Sequence, residues 1–178
     1  YQDDWFLVVD KPAGMVVHPS PGHSSDTLVN AIINRLPDIR GVGEEFRPGI
    51  VHRLDKNTSG LMMIAKNLMA YDFLVRQIQQ RIVQKGYLAL VKGILDPSEA
   101  IIQGDIGRDP TNRKRMSVVS QGRYSETYYR SLYNIQNCTM VEVFPKTGRT
   151  HQIRVHFANI GNPIVGDKTY GGKTSGLE

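Results

Sequence analysis

Between Tyr87 and Phe144 the chain offers strand-like segments in series with no helical period between them, and this run constrains the fold more than any other feature. The segments are "YLALVKG" (Tyr87–Gly93), a stretch around Ile106, "MSVV" (Met116–Val119), "ETYYRSLY" (Glu126–Tyr133) and "TMVEVF" (Thr139–Phe144). Several sit at hairpin-like spacing, so antiparallel pairing is expected.

The flanking sequence supplies the helices. "WFLVVD" (Trp5–Asp10) reads as a strand, and the loop after it, marked by Pro12, Gly14, Pro19, Pro21 and Gly22, encloses a short predicted strand at Met15–Val17. Ser24, Ser25 and Asp26 are suited to cap a helix from about Thr27 to Leu36, where Leu28, Ile32 and Leu36 recur four apart until Pro37 ends it. "LMMIAK" is apolar on successive residues and reads as a buried strand. Asn67 then caps a second predicted helix to about Arg81, with Met69, Phe73, Leu74 and Ile78 on its apolar face. A third fits "THQIRVHFANIG", with Thr150 as N-cap and Gly161 just past its end. Hairpin strands with a few helices predict an α+β fold: a mixed, mostly antiparallel central sheet flanked by helices. At 178 residues the chain fits one domain, 1–178, with no repeat or linker.

Composition narrows the function. No apolar run approaches the roughly 20 residues needed to cross a bilayer, so no membrane partner is expected. Cys138 is the only cysteine, which excludes an internal disulfide and fits a cytoplasmic setting. The formal charge of +5 suggests a polyanionic partner. "GRDPTNRKRMS" concentrates Arg108, Arg113, Lys114 and Arg115 around turn residues, with Asp109 as the only acid, so contact with phosphates is expected there.

Several familiar chemistries do not fit. His151 and His156 are five apart, so on a helix they point about 140° away from each other, and no metal site is expected. "GDKTYGGKT" (Gly166–Thr174) has one residue too many for a phosphate-binding P-loop and reads as a Gly-rich turn. Cys138 has no cationic neighbour in sequence and reads as inert.

What remains is "GIVHRLDKNTSGLMMIAK", which threads His52, Arg53 and Asp55 between two apolar runs. A carboxylate acts as nucleophile or base only when ionised and held still, and a charged loop clamped by core strands meets that need. For an isolated Asp, a structural ion pair is the simpler reading. The density of His52, Arg53, Asp55, Thr58, Ser59 and Gly60 in one loop favours a site. "KTGRTHQIRVHF" is a second dense segment, placing Arg149 and Arg154 around a helix start where an anion is favoured. An ordinary amphipathic helix with basic solvent-facing residues fits it equally well.

Four motifs, in order, resemble the RluA/RluD family of RNA pseudouridine synthases. "GIVHRLDKNTSGL" is similar to its H-R-L-D-x-x-T-S-G motif, and "VVDKPAGMVVHP" to its N-terminal strand–loop–strand. "QKGYLALVKG" is similar to its K-x-Y-x-A-x-V-x-G strand, and "TGRTHQIRVHFANIGNPIVGDKTYG" to its R-T-H-Q-[IL]-R-x-H helix and G-D-x-x-Y-G turn.

The resemblance implies a pseudouridine synthase fold and isomerisation of uridine to pseudouridine within RNA, with no metal or organic cofactor. It implies that Asp55 is the essential carboxylate. It likewise implies that Tyr87 is the active-site tyrosine that packs on the target base and that Arg154 is the basic partner of the Asp. By the same resemblance Ile153 is expected to line the pocket, and Arg53, with His52 beside it, to help open the RNA and fill the vacated base position. Arg113, Lys114 and Arg115 are the expected phosphate contacts. Ribosomal RNA is the expected substrate, with transfer RNA as the second choice, and the protein is expected to act as a monomer. The chain begins at Tyr1 and is expected to belong to a longer protein, without the N-terminal S4 domain and the C-terminal segment usual in the family. A non-catalytic RNA-binding module is the main alternative. A carboxylate-dependent hydrolase is the other, and it lacks the second carboxylate that a glycosidase pairs with the first.

Overall fold

A computed structural model describes residues 1–20 and 22–171. The chain forms two compact units, Tyr1–Val83 and a second beginning at Gln84.

In the first unit, β1 (Phe6–Lys11) pairs antiparallel with β2 (Gly60–Ala65). α1 (Leu28–Arg35) buries Leu28, Val29 and Ile32, and α2 (Leu68–Gln79) packs against β2. The predicted strand at Met15–Val17 does not form. The carbonyls of Val16 and Val17 instead accept the backbone N–H groups of Leu28 and Val29, at 2.9 and 3.0 Å, satisfying donors at the start of α1. Thr27, not Ser24–Asp26, is the N-cap of α1. Its hydroxyl accepts from Asn30 N, and the Asn30 side chain accepts from Thr27 N, a capping box that fixes the start.

The apolar face predicted for α2 holds in part. Leu74 is buried as expected, with Ala70 beside it on the buried face, whereas Met69 and Phe73, one position earlier and about 100° around the helix, are exposed. β2 is not buried throughout: Met62 and Ile64 are, but Leu61 on the other face is exposed.

The second unit is a five-stranded sheet in the order β3-β7-β6-β4-β5 with α3 packed on it. Its strands are β3 (Tyr87–Lys92), β4 (Glu99–Arg108), β5 (Met116–Val118), β6 (Arg123–Ile135) and β7 (Cys138–Pro145). Every strand pairing among the described residues is antiparallel, as the hairpin spacings predict. Strand alternation sends Val141 and Val143 of β7 and Val91 of β3 into one core with Ile102, Tyr129 and Phe157.

α3 (Gln152–Asn159) buries Val155, His156 and Phe157. Its N-cap is His151 rather than Thr150. His151 adopts a left-handed backbone (φ 57), and the Gln152 side chain accepts from Arg149 N at 3.0 Å in place of a hydroxyl cap. Gly161 follows the helix at φ 85, the left-handed stop expected of it.

Candidate active site

The Asp55 loop is held by its backbone. Gly49 donates to Val42 O at 2.7 Å and accepts from Ala65 N at 2.9 Å. A Cβ at Gly49 would lie 2.5 Å from the Ala65 carbonyl oxygen, so the first residue of the motif has to be glycine for the chain to enter so close to β2. Leu54 is buried and anchors the next turn, and Thr58 N closes it onto Asp55 O at 3.1 Å. His52 Nε2 accepts from Met63 N at 3.0 Å, so the imidazole stands in for a strand neighbour along β2.

The side of the loop after Asp55 is fixed from β1. Gly14 N and Lys11 Nζ both donate to Lys56 O, at 2.8 and 3.2 Å. Lys11 has no exposed surface, and its ammonium also donates to Pro12 O and Met15 O, each at 2.9 Å. Burial pushes the Lys11 ammonium below its ordinary range, and the charge of Asp55 opposes that shift. Sequence reasoning missed Lys11, although a lysine beside Pro12 and Gly14 in a loop was visible. Arg53 is exposed, with Nη1 3.2 Å from His18 Nε2.

Tyr87 and Ile153 both pack against the Val91–Phe157 core of the second unit: Tyr87 from the edge strand β3, Ile153 from α3. Lys85, two residues before Tyr87, is pushed below its ordinary range by burial.

Arg154, on α3, makes a two-pronged ion pair: Nε to Asp167 Oδ2 at 2.7 Å and Nη2 to Asp167 Oδ1 at 3.1 Å. Asp167 Oδ1 also accepts from Thr169 N at 2.9 Å and Tyr170 N at 3.3 Å. Burial alone would raise the Asp167 pKa; the Arg154 hydrogen bonds and these two N–H groups outweigh it and leave it below the usual range. The Gly-rich turn thus carries a partner of Arg154, a role its composition did not signal; residues 172–174 of that segment lie outside the described residues.

The basic stretch after β4 is an ordered tip. Asp109 Oδ1 accepts from Thr111 N, Thr111 Oγ1 and Asn112 N, and Oδ2 accepts from Arg115 Nε at 2.7 Å. The Thr111 bonds are the main cause of an Asp109 pKa lowered to about 2. Arg108, Arg113 and Lys114 are exposed on this tip, whereas Arg115 folds back.

Beneath α3 lies a buried polar chain. Ser125 Oγ donates to Gly104 O and sits 2.8 Å from His156 Nε2, while Thr127 Oγ1 lies 2.9 Å from His156 Nδ1. Gln152 Nε2 donates to Thr127 Oγ1 at 2.9 Å, and Gln152 Oε1 accepts from Thr147 Oγ1 at 2.7 Å. Because His156 is held in this chain, it is not arranged as a metal ligand, and no group of three metal-holding side chains occurs among the described residues.

The family model for RNA pseudouridylate synthase matches residues 5–159. An uncharacterized RNA pseudouridine synthase of Aquifex aeolicus is 50% identical over 99% of this chain and 57% of its own length. Ribosomal large subunit pseudouridine synthase D of Pseudomonas aeruginosa is 49% identical over 97% of this chain and 53% of its own length. The chain thus spans about half the length of these curated relatives. The solved structure of human RNA Pseudouridylate Synthase Domain Containing 1 superposes with a TM-score of 0.79 at 34% identity, covering 99% of this chain and 70% of that one. With a family model over most of its length and relatives of this identity, the chain belongs to the RNA pseudouridylate synthase family, in its RluA/RluD branch.

Proposed function

We propose that this chain is the catalytic domain of an RNA pseudouridine synthase that isomerises uridine in ribosomal RNA, in the cytoplasm and as a monomer. The reaction breaks the N1–C1′ bond, turns the uracil, joins C5 to C1′ and moves the C5 proton to solvent while N1 regains one. The observation that carries this reading is Asp55 itself: the carboxylate of the H-R-L-D loop sits on a turn whose backbone is tied to β1 through Lys56 O and to β2 through Gly49 and His52.

Asp55 serves as the anion, whether it attacks the sugar, attacks the base or removes the C2′ proton; all three routes need the ionised carboxylate held still. In this reading Arg154 keeps negative charge stable in the site, and Tyr87 gives the flipped base an aromatic face and assists loss of the C5 proton. Ile153 lines the pocket and Arg53, with His52 behind it, fills the space of the extruded base. Arg113 and Lys114 hold phosphates from an ordered tip. The names of the relatives support ribosomal RNA as substrate.

The test is incubation of the full chain with ribosomal RNA labelled with tritium at uridine C5. Tritium release with pseudouridine in the digested product supports the reading. Binding without release would make the chain a non-catalytic RNA-binding module, and cleavage to free uracil would make it a hydrolase.

A further inference from the structure

Arg115 and Arg154 share one aromatic ring. The Arg154 Cζ lies 4.9 Å and the Arg115 Cζ 5.7 Å from the centroid of Tyr170. Tyr170 is buried, its hydroxyl accepts from Met116 N at 3.0 Å, and that oxygen lies 2.8 Å from His151 Nδ1. The hydroxyl thus takes the Met116 N–H and shares a second hydrogen bond with His151 Nδ1. The ring therefore bonds at its rim to β5 and to the N-cap of α3, and it packs with Ile106 and Val155.

Each cation is held by its own carboxylate. Asp167 takes Nε and Nη2 of Arg154, and Asp109 takes Nε of Arg115. Both carboxylates are themselves fixed by backbone N–H groups of their turns. The Asp109 and Asp167 side chains are each 7% exposed, and Arg115 is 41% exposed, a guanidinium turned inward from a tip whose other cations face water. A guanidinium over the face of an aromatic ring is attracted by the ring quadrupole, the more so where water is excluded.

We propose that Asp167, Tyr170 and Arg115 are positioning residues that fix the guanidinium of Arg154, so the basic tip has two separable tasks. Arg113 and Lys114 hold RNA phosphate, and Arg115 sets the arginine that serves the chemistry. The inference rests on the synthase reading for the consequence to turnover, and on geometry alone for the clamp.

The experiment compares Arg115→Ala, Arg115→Lys, Tyr170→Leu and the double variant Arg113→Ala with Lys114→Ala in the full chain. RNA affinity is measured across a salt series, single-turnover rate at saturating RNA, and the Arg154 Nε–H resonance by NMR with ¹⁵N-labelled arginine. The double variant should flatten the slope of log K against log salt by about 0.7 per lost contact on single-stranded RNA. Arg115→Ala should leave that slope unchanged, lower the saturated rate tenfold or more and shift the Arg154 Nε–H signal. Arg115→Lys should not restore the rate, because an ammonium lacks the flat face that stacks on Tyr170. Tyr170→Leu should shift the same resonance. A flattened slope with unchanged rate and resonance in Arg115→Ala would make Arg115 another phosphate contact and overturn the clamp. If the wild-type chain forms no pseudouridine, the synthase reading fails, and the resonance still decides the clamp.

Discussion

Lys11 Nζ donates to the backbone carbonyl of Lys56 at 3.2 Å, so a lysine with no exposed surface holds the residue next to Asp55. The ammonium gives its hydrogens to three carbonyls, Pro12, Met15 and Lys56, and lends its charge to Asp55 without a direct bond appearing among its donations. A buried lysine normally costs stability through desolvation. Here three carbonyl partners and a nearby carboxylate offset it.

Lys11→Met should therefore do two things. It removes the ammonium donor from three carbonyls, at a cost of roughly 1–3 kcal/mol each where water cannot replace it. It also loosens the turn after Asp55, so turnover should fall further than RNA binding. Thermal melts beside single-turnover rates check this; a Lys11→Met protein that melts and turns over like wild type would show that the loop holds itself.

Asp55→Asn keeps the shape of the side chain and removes its charge. RNA binding should survive and pseudouridine formation should drop below detection. Appreciable turnover in the purified variant would take Asp55 out of the mechanism.

Arg154→Met removes two hydrogen bonds from Asp167, whose carboxylate is nearly buried. Leaving such a charge with only backbone donors should cost roughly 3–5 kcal/mol. Asp167 has a depressed pKa, so its contribution is present above the unfolded carboxylate value of about 3.9 and is lost as pH falls through the lower folded value. In Arg154→Met that acid dependence should weaken. Arg154→Lys should rescue only in part, because it lacks the fork that matches both oxygens. An unchanged melting temperature across acid pH in Arg154→Met would show the pair contributes nothing.

The parts legible in the sequence were those with local causes. Strand periods placed β3, β5, β6 and β7 within a few residues, whereas β4, expected only around Ile106, begins at Glu99; Gly161 and Asn67 marked helix ends through their own backbone and side-chain chemistry. The misses came from distant partners. Met15–Val17 has strand composition, but its carbonyls serve α1. Met69 and Phe73 look like part of a core face with Leu74, but only Leu74 of the three is buried, together with Ala70. Lys11 meets Lys56 across a separation of 45 residues, and Arg154 meets Asp167 across 13, in a turn that composition marked only as Gly-rich. Neither pairing follows from the local period of the segments that carry it.

His156 yields the prediction with the most constrained sign. Ser125 Oγ has one hydrogen and gives it to Gly104 O, so it must accept from His156 Nε2–H. Thr127 Oγ1 accepts from Gln152 Nε2 and gives its own hydrogen to His156 Nδ1. The network therefore suits the neutral Nε2–H form. A second proton at Nδ1 would turn the Thr127 hydrogen away from its acceptor and place a charge in a site with no exposed surface. Burial accordingly pushes the His156 pKa from 6.5 down to about 4. A depressed histidine contributes stability that is full above the unfolded value and is lost as pH falls from about 6.5 to about 4, because over that range the unfolded chain binds a proton the folded chain refuses. Converted at 1.36 kcal/mol per unit, the loss is about 3 kcal/mol. His156→Gln keeps an amide N–H near Ser125 and removes the titration. It should be less stable than wild type at pH 7.5, since Thr127 loses its acceptor, yet its stability should change less between pH 7 and pH 4. Urea melts of both proteins at half-unit pH steps measure the difference. If the wild-type and His156→Gln curves run parallel from pH 7 to pH 4, His156 is not held neutral by this network.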